Sequence, residues 1–191
     1  QETGMRPDTT NDWSKSLRLA FSNWGLSWAG MLNNRNGEWW LMGQILILAA
    51  HLLPIWPPIA ILDIIWPAWL TFLGICLLFI GIVIVAKAFI SLGANLSPLP
   101  KPKSGSILIK SGSYKSCRHP LYQGLLISSS GVMIALGSIF HALLFISLTT
   151  VLIGKARREE LLLQKKYLDY KQYLAVTPAI IKGVPLLDWR S

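Results

Sequence analysis

The residues from 64 to 90 form an almost unbroken apolar stretch in which Lys87 is the only charged residue. A helix of this length crosses the roughly 30 Å hydrocarbon layer of a membrane, and Lys87 lies close enough to its end for the ammonium to reach the headgroups. Water-soluble cores show alternating apolar and polar positions instead. The stretch therefore indicates an integral membrane protein, in agreement with 52% hydrophobic and 14% charged residues.

Three more apolar stretches, at residues 39–55, 121–136 and 139–153, predict further membrane helices. The first ends among prolines and interfacial tryptophans, which break a helix at the membrane surface. The last two are only about 16 residues each and turn at Gly137, which is typical of a short helical hairpin. Together with the stretch described first, they predict an all-α integral membrane protein with about four transmembrane helices.

Two further helices are expected to flank these spans. Across residues 13–32, apolar residues recur at steps of three or four, which favours an amphipathic helix in the headgroup plane or packed on another part of the protein. Residues 155–173 continue the last span as a charged cytosolic helix. Residues 1–4 precede Met5 and are expected to be a cloning remnant. Residues 5–191 then form one domain, because four spans and a short cytosolic segment use nearly all of them.

Positive charge is concentrated near the ends of the predicted spans. The formal net charge is +9. Residues 91–120 contain five basic residues and no acid, and the tail after Gly154 contains eight Lys or Arg against four acids. Because basic residues beside spans stay on the cytosolic side, we expect a multi-pass protein with both termini and the 91–120 loop in the cytosol. A nucleic-acid partner is not expected, since these charges flank apolar spans without an RNA- or DNA-binding motif.

The 91–120 loop is too rich in proline, glycine and lysine to lie in lipid. Its prolines favour an extended backbone, and its glycines allow turns. Cys117 in this loop and Cys76 within a span predict neither a disulfide framework nor a zinc site, and no metal is expected. A loop of this kind presents many backbone N–H and C=O groups, so it can line a polar ligand pocket.

Two motifs resemble those of the isoprenylcysteine carboxyl methyltransferase family and its phospholipid N-methyltransferase relatives. The first reads Leu108-Ile109-x-x-Gly112-x-Tyr114-x-x-x-Arg118-His119-Pro120-x-Tyr122-x-Gly124. The second reads Glu159-Glu160-x-Leu162-Leu163, followed by Tyr167-x-Asp169-Tyr170-x-x-Tyr173. The resemblance covers residues 95–184, about half of the chain, and it departs at Lys182, where relatives often have proline. Two motifs in this order and separation are far more specific than either alone.

The resemblance implies binding of S-adenosylmethionine by these two motifs. Arg118 would organise the loop, and Glu159 or Glu160 would close the pocket from the tail helix. The remaining residues implied to line the pocket are Leu108, Ile109, Tyr114, His119, Pro120 and Tyr122. The chemistry of these residues suits the groups of the cofactor. The aromatic face of Tyr114 or Tyr122 can contact the sulfonium, a glutamate can bind the ammonium, and Arg118 or His119 can bind the carboxylate.

The resemblance implies methylation of a lipophilic acceptor, and an isoprenylcysteine-like carboxylate is the preferred one. Transfer to an ionised carboxylate needs alignment and desolvation more than a base, so no catalytic residue is assigned. Arg157, Arg158 or Lys155 could hold an anionic group of the substrate, and the lipid part would enter sideways between helices. The alternatives are N-methylation of a phospholipid or small amine, a nicotinamide-dependent membrane reductase, and a non-enzymatic adaptor that binds anionic lipid.

Three structural alternatives stay open for the residues singled out here. Arg118 and His119 could form a headgroup-binding pair at a helix start. Glu159 and Glu160 could belong to a solvated helix face that pairs with neighbouring bases. The third alternative concerns three small residues, whose spacing favours a helix-packing seam over a substrate groove: Gly124, Ser128 and Gly131. The sequence leaves the oligomeric state open.

Overall fold

A computed structural model describes residues 28–57, 61, 63–102 and 105–190. Within these ranges the chain forms six α-helices and no β-strand. The helices are α1 (Trp28–Asn33), α2 (Glu38–Ala50), α3 (Ala68–Leu92), α4 (Pro120–Leu136), α5 (Ile139–Lys166) and α6 (Tyr170–Val176). Two 3₁₀ turns, Gly93–Asn95 and Gly112–Lys115, lie between α3 and α4. The expected all-helical class is confirmed for this part of the chain, whereas most of the helix predicted at 13–32 lies outside the described residues.

Two helices in the described ranges are long and apolar enough to cross a membrane. They are α3 with its following turn, Ala68–Asn95, and α5, Ile139–Lys166. The protein itself buries only 17% and 28% of their most apolar windows, so most of this surface requires an apolar surrounding such as lipid. The 13 residues of α2 and 17 of α4 reach about 20 and 25 Å, less than the hydrocarbon thickness. The layout with four spans therefore stays a prediction.

Prolines move the ends of two predicted helices. The stretch predicted at 64–90 becomes helical only from Ala68, because Pro67 adopts an extended conformation with ψ of 132° and disfavours helix in the residue before it. At its other end α3 continues to Leu92, and the next residue, Gly93, has a φ of 51°. The helix predicted at 39–55 stops at Ala50 and loosens into turns before Pro54.

The charged helix predicted at 155–173 is helical at 155–166 and 170–173 but is not a single helix. Instead α5 continues without a break from the predicted span to Lys166, and Tyr167 then turns extended, with φ of −121° and ψ of 117°. The Tyr167 hydroxyl donates a hydrogen bond of 2.6 Å to the carbonyl oxygen of Ser106. This contact with the loop coincides with the end of α5. The chain resumes as the short helix α6.

Small residues bring α3 and α4 into close contact. A Cβ atom added at Gly124 would lie 2.7 Å from the carbonyl oxygen of Gly81, and one at Gly131 would lie 2.5 Å from the backbone nitrogen of Leu78. Both distances are too short for real carbon atoms, so only glycine permits this approach. The packing seam favoured by the sequence pattern is therefore confirmed.

The C-terminal segment folds back onto the start of α4. The backbone N–H groups of Arg118 and His119 donate to the carbonyl oxygens of Pro178 and Ala179, at 2.9 and 3.0 Å. Ala179 and Ile180 are fully buried and join a core formed by α4 and α5. As a result the arginine and histidine that precede α4 are enclosed by the end of the chain.

Candidate functional site

A cavity of about 440 Å³ lies between α2, α3, α4, α5, α6 and the loop that follows α3. Its volume falls in the range of small-molecule sites. Apolar side chains from three helices form one part of its lining, called here the apolar end: Leu41, Leu48, Val85, Phe89, Leu121 and Leu125. Its polar side chains, called here the polar end, are Tyr114, Arg118, His119, Tyr122, Lys155 and Glu159. Such a cavity suits a ligand pair in which one partner is polar and the other is lipophilic.

Arg118 and Glu160 form a buried ion pair behind the polar end. Both residues are 3% exposed, and Arg118 Nε lies 2.7 Å from Glu160 Oε1. Arg118 Nη1 donates to the carbonyl oxygens of Leu174, at 3.0 Å, and of Thr177, while Nη2 donates to that of Trp189, at 2.6 Å. A buried guanidinium needs such partners for all its donors. Arg118 therefore connects the start of α4 to the C-terminal segment.

His119 lies between the ion pair and the cavity. Its Nε2 atom is 2.9 Å from Glu160 Oε1, and its Nδ1 atom is 3.8 Å from Glu159 Oε2. The ring stacks on that of Tyr122, with centroids 5.2 Å apart and an interplanar angle of 4°. The contact with Glu160 favours the tautomer with the proton on Nε2. That tautomer leaves the Nδ1 lone pair on the side of Glu159.

Tyr122 and Glu159 present a carboxylate to the cavity. The Tyr122 hydroxyl donates to Glu159 Oε2 at 3.0 Å. The Glu159 side chain is 29% exposed to solvent, whereas the Glu160 side chain is only 4% exposed. The two adjacent glutamates therefore differ in position: Glu159 faces the cavity, and Glu160 lies behind it.

Lys155 is a buried cation on the wall of the cavity. The residue is 3% exposed, and its Nζ atom donates to Gln44 Oε1 at 2.7 Å and lies 5.4 Å from the centre of the Tyr122 ring. Sequence reasoning treated it mainly as an interfacial cation and missed Gln44. Its spacing of four residues before Glu159 was the available signal, because residues four apart share a helix face.

Tyrosines of the second motif close the cavity from the side of α6. Tyr167, Tyr170 and Tyr173 all line it. The Tyr173 hydroxyl donates to the carbonyl oxygen of Tyr114, and Lys110 pairs with Asp169. Burial raises the pKa of the Tyr114 and Tyr173 phenols above the ordinary value of tyrosine, so both remain protonated at neutral pH. Loop and tail thus form one wall.

The predicted site residues separate into three groups. Those that line the cavity are Leu108, Ile109, Tyr114, Arg118, His119, Tyr122 and Glu159. Pro120 and Glu160 are buried just behind them; the first opens α4, and the second holds Arg118 and His119. Arg157 is exposed, with its guanidinium 5.3 Å from the Trp189 ring, and Arg158 lies near Glu38. The structure brings neither Arg157 nor Arg158 to the cavity.

Known proteins resemble this chain across the same region. A family model described as phospholipid methyltransferase matches residues 69–169, which are 101 of the 191 residues. The protein-S-isoprenylcysteine O-methyltransferases of Mus musculus and Rattus norvegicus are each 27% identical over 142 residues, covering 68% of this chain and 50% of the relative. Protein-S-isoprenylcysteine O-methyltransferase B of Arabidopsis thaliana is 26% identical over 125 residues, covering 63% of this chain and 61% of the relative. The chain thus spans about half the length of the rodent relatives.

Proposed function

Because this chain belongs to the phospholipid methyltransferase family, we propose that it is a membrane methyltransferase that uses S-adenosylmethionine. One observation carries the proposal: a single cavity is lined both by polar side chains from the two sequence motifs and by apolar side chains from three helices. Methyl transfer between a polar cofactor and a lipophilic acceptor requires both environments within one site.

The polar end has the groups that this cofactor requires. S-adenosylmethionine supplies an electrophilic methyl group on a sulfonium. Glu159 offers a carboxylate to a cationic or hydroxyl-bearing part of the ligand, and Tyr114 and Tyr122 offer aromatic faces to a cation. Arg118 adds positive charge for a carboxylate, although most of its donors bond to protein groups, and His119 offers its Nδ1 lone pair as a hydrogen-bond acceptor. Glu160 and Pro120 support these side chains from behind.

We propose an ionised carboxylate as the methyl acceptor, as in an isoprenylcysteine. Lys155 is a buried cation in the lining of the cavity, and its ammonium donates to Gln44 at 2.7 Å. An ammonium held there can bind and align an anionic acceptor while the surrounding apolar residues exclude water. The names of the mouse, rat and Arabidopsis relatives support this acceptor class.

The lipophilic part of the acceptor would enter from the bilayer. Leu41 and Leu48 of α2 and Val85 and Phe89 of α3 all line the cavity. In the described ranges, α3 packs mainly on α4 and α2 mainly on α5, so α2 and α3 do not pack closely on each other. A chain such as a prenyl group can pass between them. In this arrangement four spans would place both termini and the 91–120 loop in the cytosol, as the basic residues favour.

N-methylation of a phospholipid or small amine is the second candidate. The description of the matching family model favours it, and so does one feature of the site. An amine acceptor must lose a proton, and His119 Nδ1 with Glu159 provides a base at the polar end. In the first candidate Lys155 aligns the acceptor, whereas in the second the Nδ1 atom of His119 accepts its proton.

Calorimetry with S-adenosylhomocysteine and detergent-purified protein tests the proposal. We expect saturable binding that weakens at least about 10-fold in His119→Ala and Glu159→Gln, because each loses a charge-assisted contact. Glu38→Gln is the matched control, since Glu38 is a buried glutamate outside the cavity that bonds to Asn36. Absence of binding to folded wild-type protein would overturn the methyltransferase proposal. Thermal stabilisation by a nicotinamide cofactor would then favour a reductase. Salt-sensitive binding to anionic vesicles would favour an adaptor.

A further inference from the structure

Trp189 lies against the buried ion pair although it is far from both motifs in the sequence. Its indole Nε1 donates to Glu160 Oε2 at 2.6 Å, and its carbonyl oxygen accepts a hydrogen bond from Arg118 Nη2. Its ring centroid is 6.5 Å from that of His119. The residue lies beyond the region matched by the family model, which ends at residue 169. Nothing in the two motifs accounts for it.

The indole group controls the orientation of the Glu160 carboxylate. Oε1 accepts hydrogen bonds from Arg118 Nε and His119 Nε2, whereas Oε2 accepts one from Trp189. The terminal torsion of a glutamate is soft and roughly two-fold, so contacts at one oxygen alone fix it poorly. The bond from Trp189 holds the second oxygen. The plane of the carboxylate is thereby determined, and with it the geometry offered to His119.

The C-terminal turn holds Trp189 in place. The carbonyl oxygen of Leu187 accepts hydrogen bonds from the N–H groups of Ile180 and Ile181, at 2.9 and 3.1 Å. Asp188 accepts from the N–H of Gly183 at 2.8 Å. The Arg157 guanidinium covers the indole ring at 5.3 Å. This exposed arginine therefore contributes to the position of Trp189.

We propose that Trp189 is a positioning residue of the site, which fixes the Glu160 carboxylate and through it the His119 ring and the Arg118 guanidinium at the polar end of the cavity. Trp189 does not itself line the cavity, so its effect passes through Glu160. The part of this inference that concerns cofactor affinity rests on the proposed function. The part that concerns the orientation of His119 does not.

Trp189→Phe tests the inference because it keeps an aromatic ring and removes the N–H donor. Trp39→Phe is the matched control, since the exposed Trp39 donates its indole N–H to the carbonyl oxygen of Met31 at 2.8 Å. In calorimetry with S-adenosylhomocysteine we expect Trp189→Phe to weaken binding about 10-fold, as for loss of a hydrogen bond to a charged group, and Trp39→Phe to remain within twofold. Should Trp189→Phe not fold, Trp189→His retains a ring N–H and is expected to bind within about threefold of wild type. Tenfold weaker binding by Trp189→His would then overturn the inference.

A spectroscopic readout separates positioning from general destabilisation. In protein with ¹⁵N-labelled histidine, we expect Trp189→Phe to shift the ring signals of His119 and to leave those of His51 and His141 unchanged. Those two side chains bond to Ser129 and Ser138 instead. Wild-type affinity or unshifted His119 signals in Trp189→Phe would overturn the inference. If wild-type protein binds no S-adenosylhomocysteine, the proposed function fails, and the His119 spectrum alone decides whether Trp189 is a positioning residue.

Discussion

The Arg118 guanidinium and the Glu160 carboxylate are 42 residues apart in sequence and form a buried ion pair, with Nε 2.7 Å from Oε1. The pair joins the start of α4 to the C-terminal half of α5. Each partner has further hydrogen bonds, and within the described residues every buried side-chain nitrogen and oxygen has a partner. Loss of one partner would leave the other charge buried without compensation.

We predict that Glu160→Ala destabilises the protein by about 3 to 5 kcal/mol, the cost of leaving a buried charge unpaired. Thermal or denaturant unfolding in detergent measures this. Asp169→Ala is the control, because the Lys110–Asp169 pair is exposed, with side chains 38% and 57% accessible, and such pairs contribute little. Equal destabilisation by the two variants would contradict the assignment of Arg118 and Glu160 as the critical pair.

The seam between α3 and α4 gives a second prediction. Gly131→Ala is expected to lower the melting temperature clearly, since the new Cβ would lie 2.5 Å from the backbone nitrogen of Leu78 and force the helices apart. Gly43→Ala is the matched control in α2, where the nearest atom to a new Cβ is a Val151 methyl at 4.0 Å. The control should melt no lower than wild type. If Gly131→Ala melted like Gly43→Ala, the close packing of α3 on α4 would be disproved.

Cys117 is predicted to be a slow nucleophile. Burial raises the pKa of its thiol to about 11, and the thiolate is the reactive form. At pH 8 only about a thousandth of this thiol is ionised, because each unit below the pKa reduces the thiolate fraction tenfold. In a Cys76→Ser background, iodoacetamide should therefore label folded protein slowly, faster as the pH rises, and much faster after unfolding in dodecyl sulfate. Rapid labelling of the folded protein at pH 8 would contradict the buried position.

Lys155 tests the proposed alignment of a carboxylate acceptor. We predict that Lys155→Met lowers kcat/KM for an isoprenylcysteine carboxylate by about 10- to 100-fold, the loss expected for one hydrogen bond to a charged group. Affinity for S-adenosylhomocysteine should change little. A methyl-transfer assay with a farnesylated cysteine derivative measures kcat/KM, and calorimetry measures the affinity for S-adenosylhomocysteine. Full activity of Lys155→Met with that acceptor would exclude the proposed alignment of the carboxylate by Lys155. Absence of activity of wild-type protein with that acceptor, together with methylation of an amine, would favour the second candidate.

Local sequence signals predicted much of the fold. The apolar stretch at 64–90 and the turn at Gly137 predicted α3 and the α4–α5 hairpin, because helix length and apolar composition depend only on neighbouring residues. Errors occurred at helix ends. The sequence indicated the proline before Ala68 but not how far it would delay α3, and it gave no sign that α5 would end at Tyr167.

The sequence by itself determined which residues are apolar for spanning lengths and which two motifs carry the resemblance, since both are read along the chain. Only the tertiary structure decided which polar side chains are buried. Gln44 and Lys155 are separated by 111 residues, and Trp189 and Glu160 by 29. A hydrogen bond across such separations depends on how helices and the C-terminal segment pack. The sequence therefore predicted the motif residues, whereas packing buried Lys155, brought Gln44 and Trp189 to the site, and left Arg157 exposed.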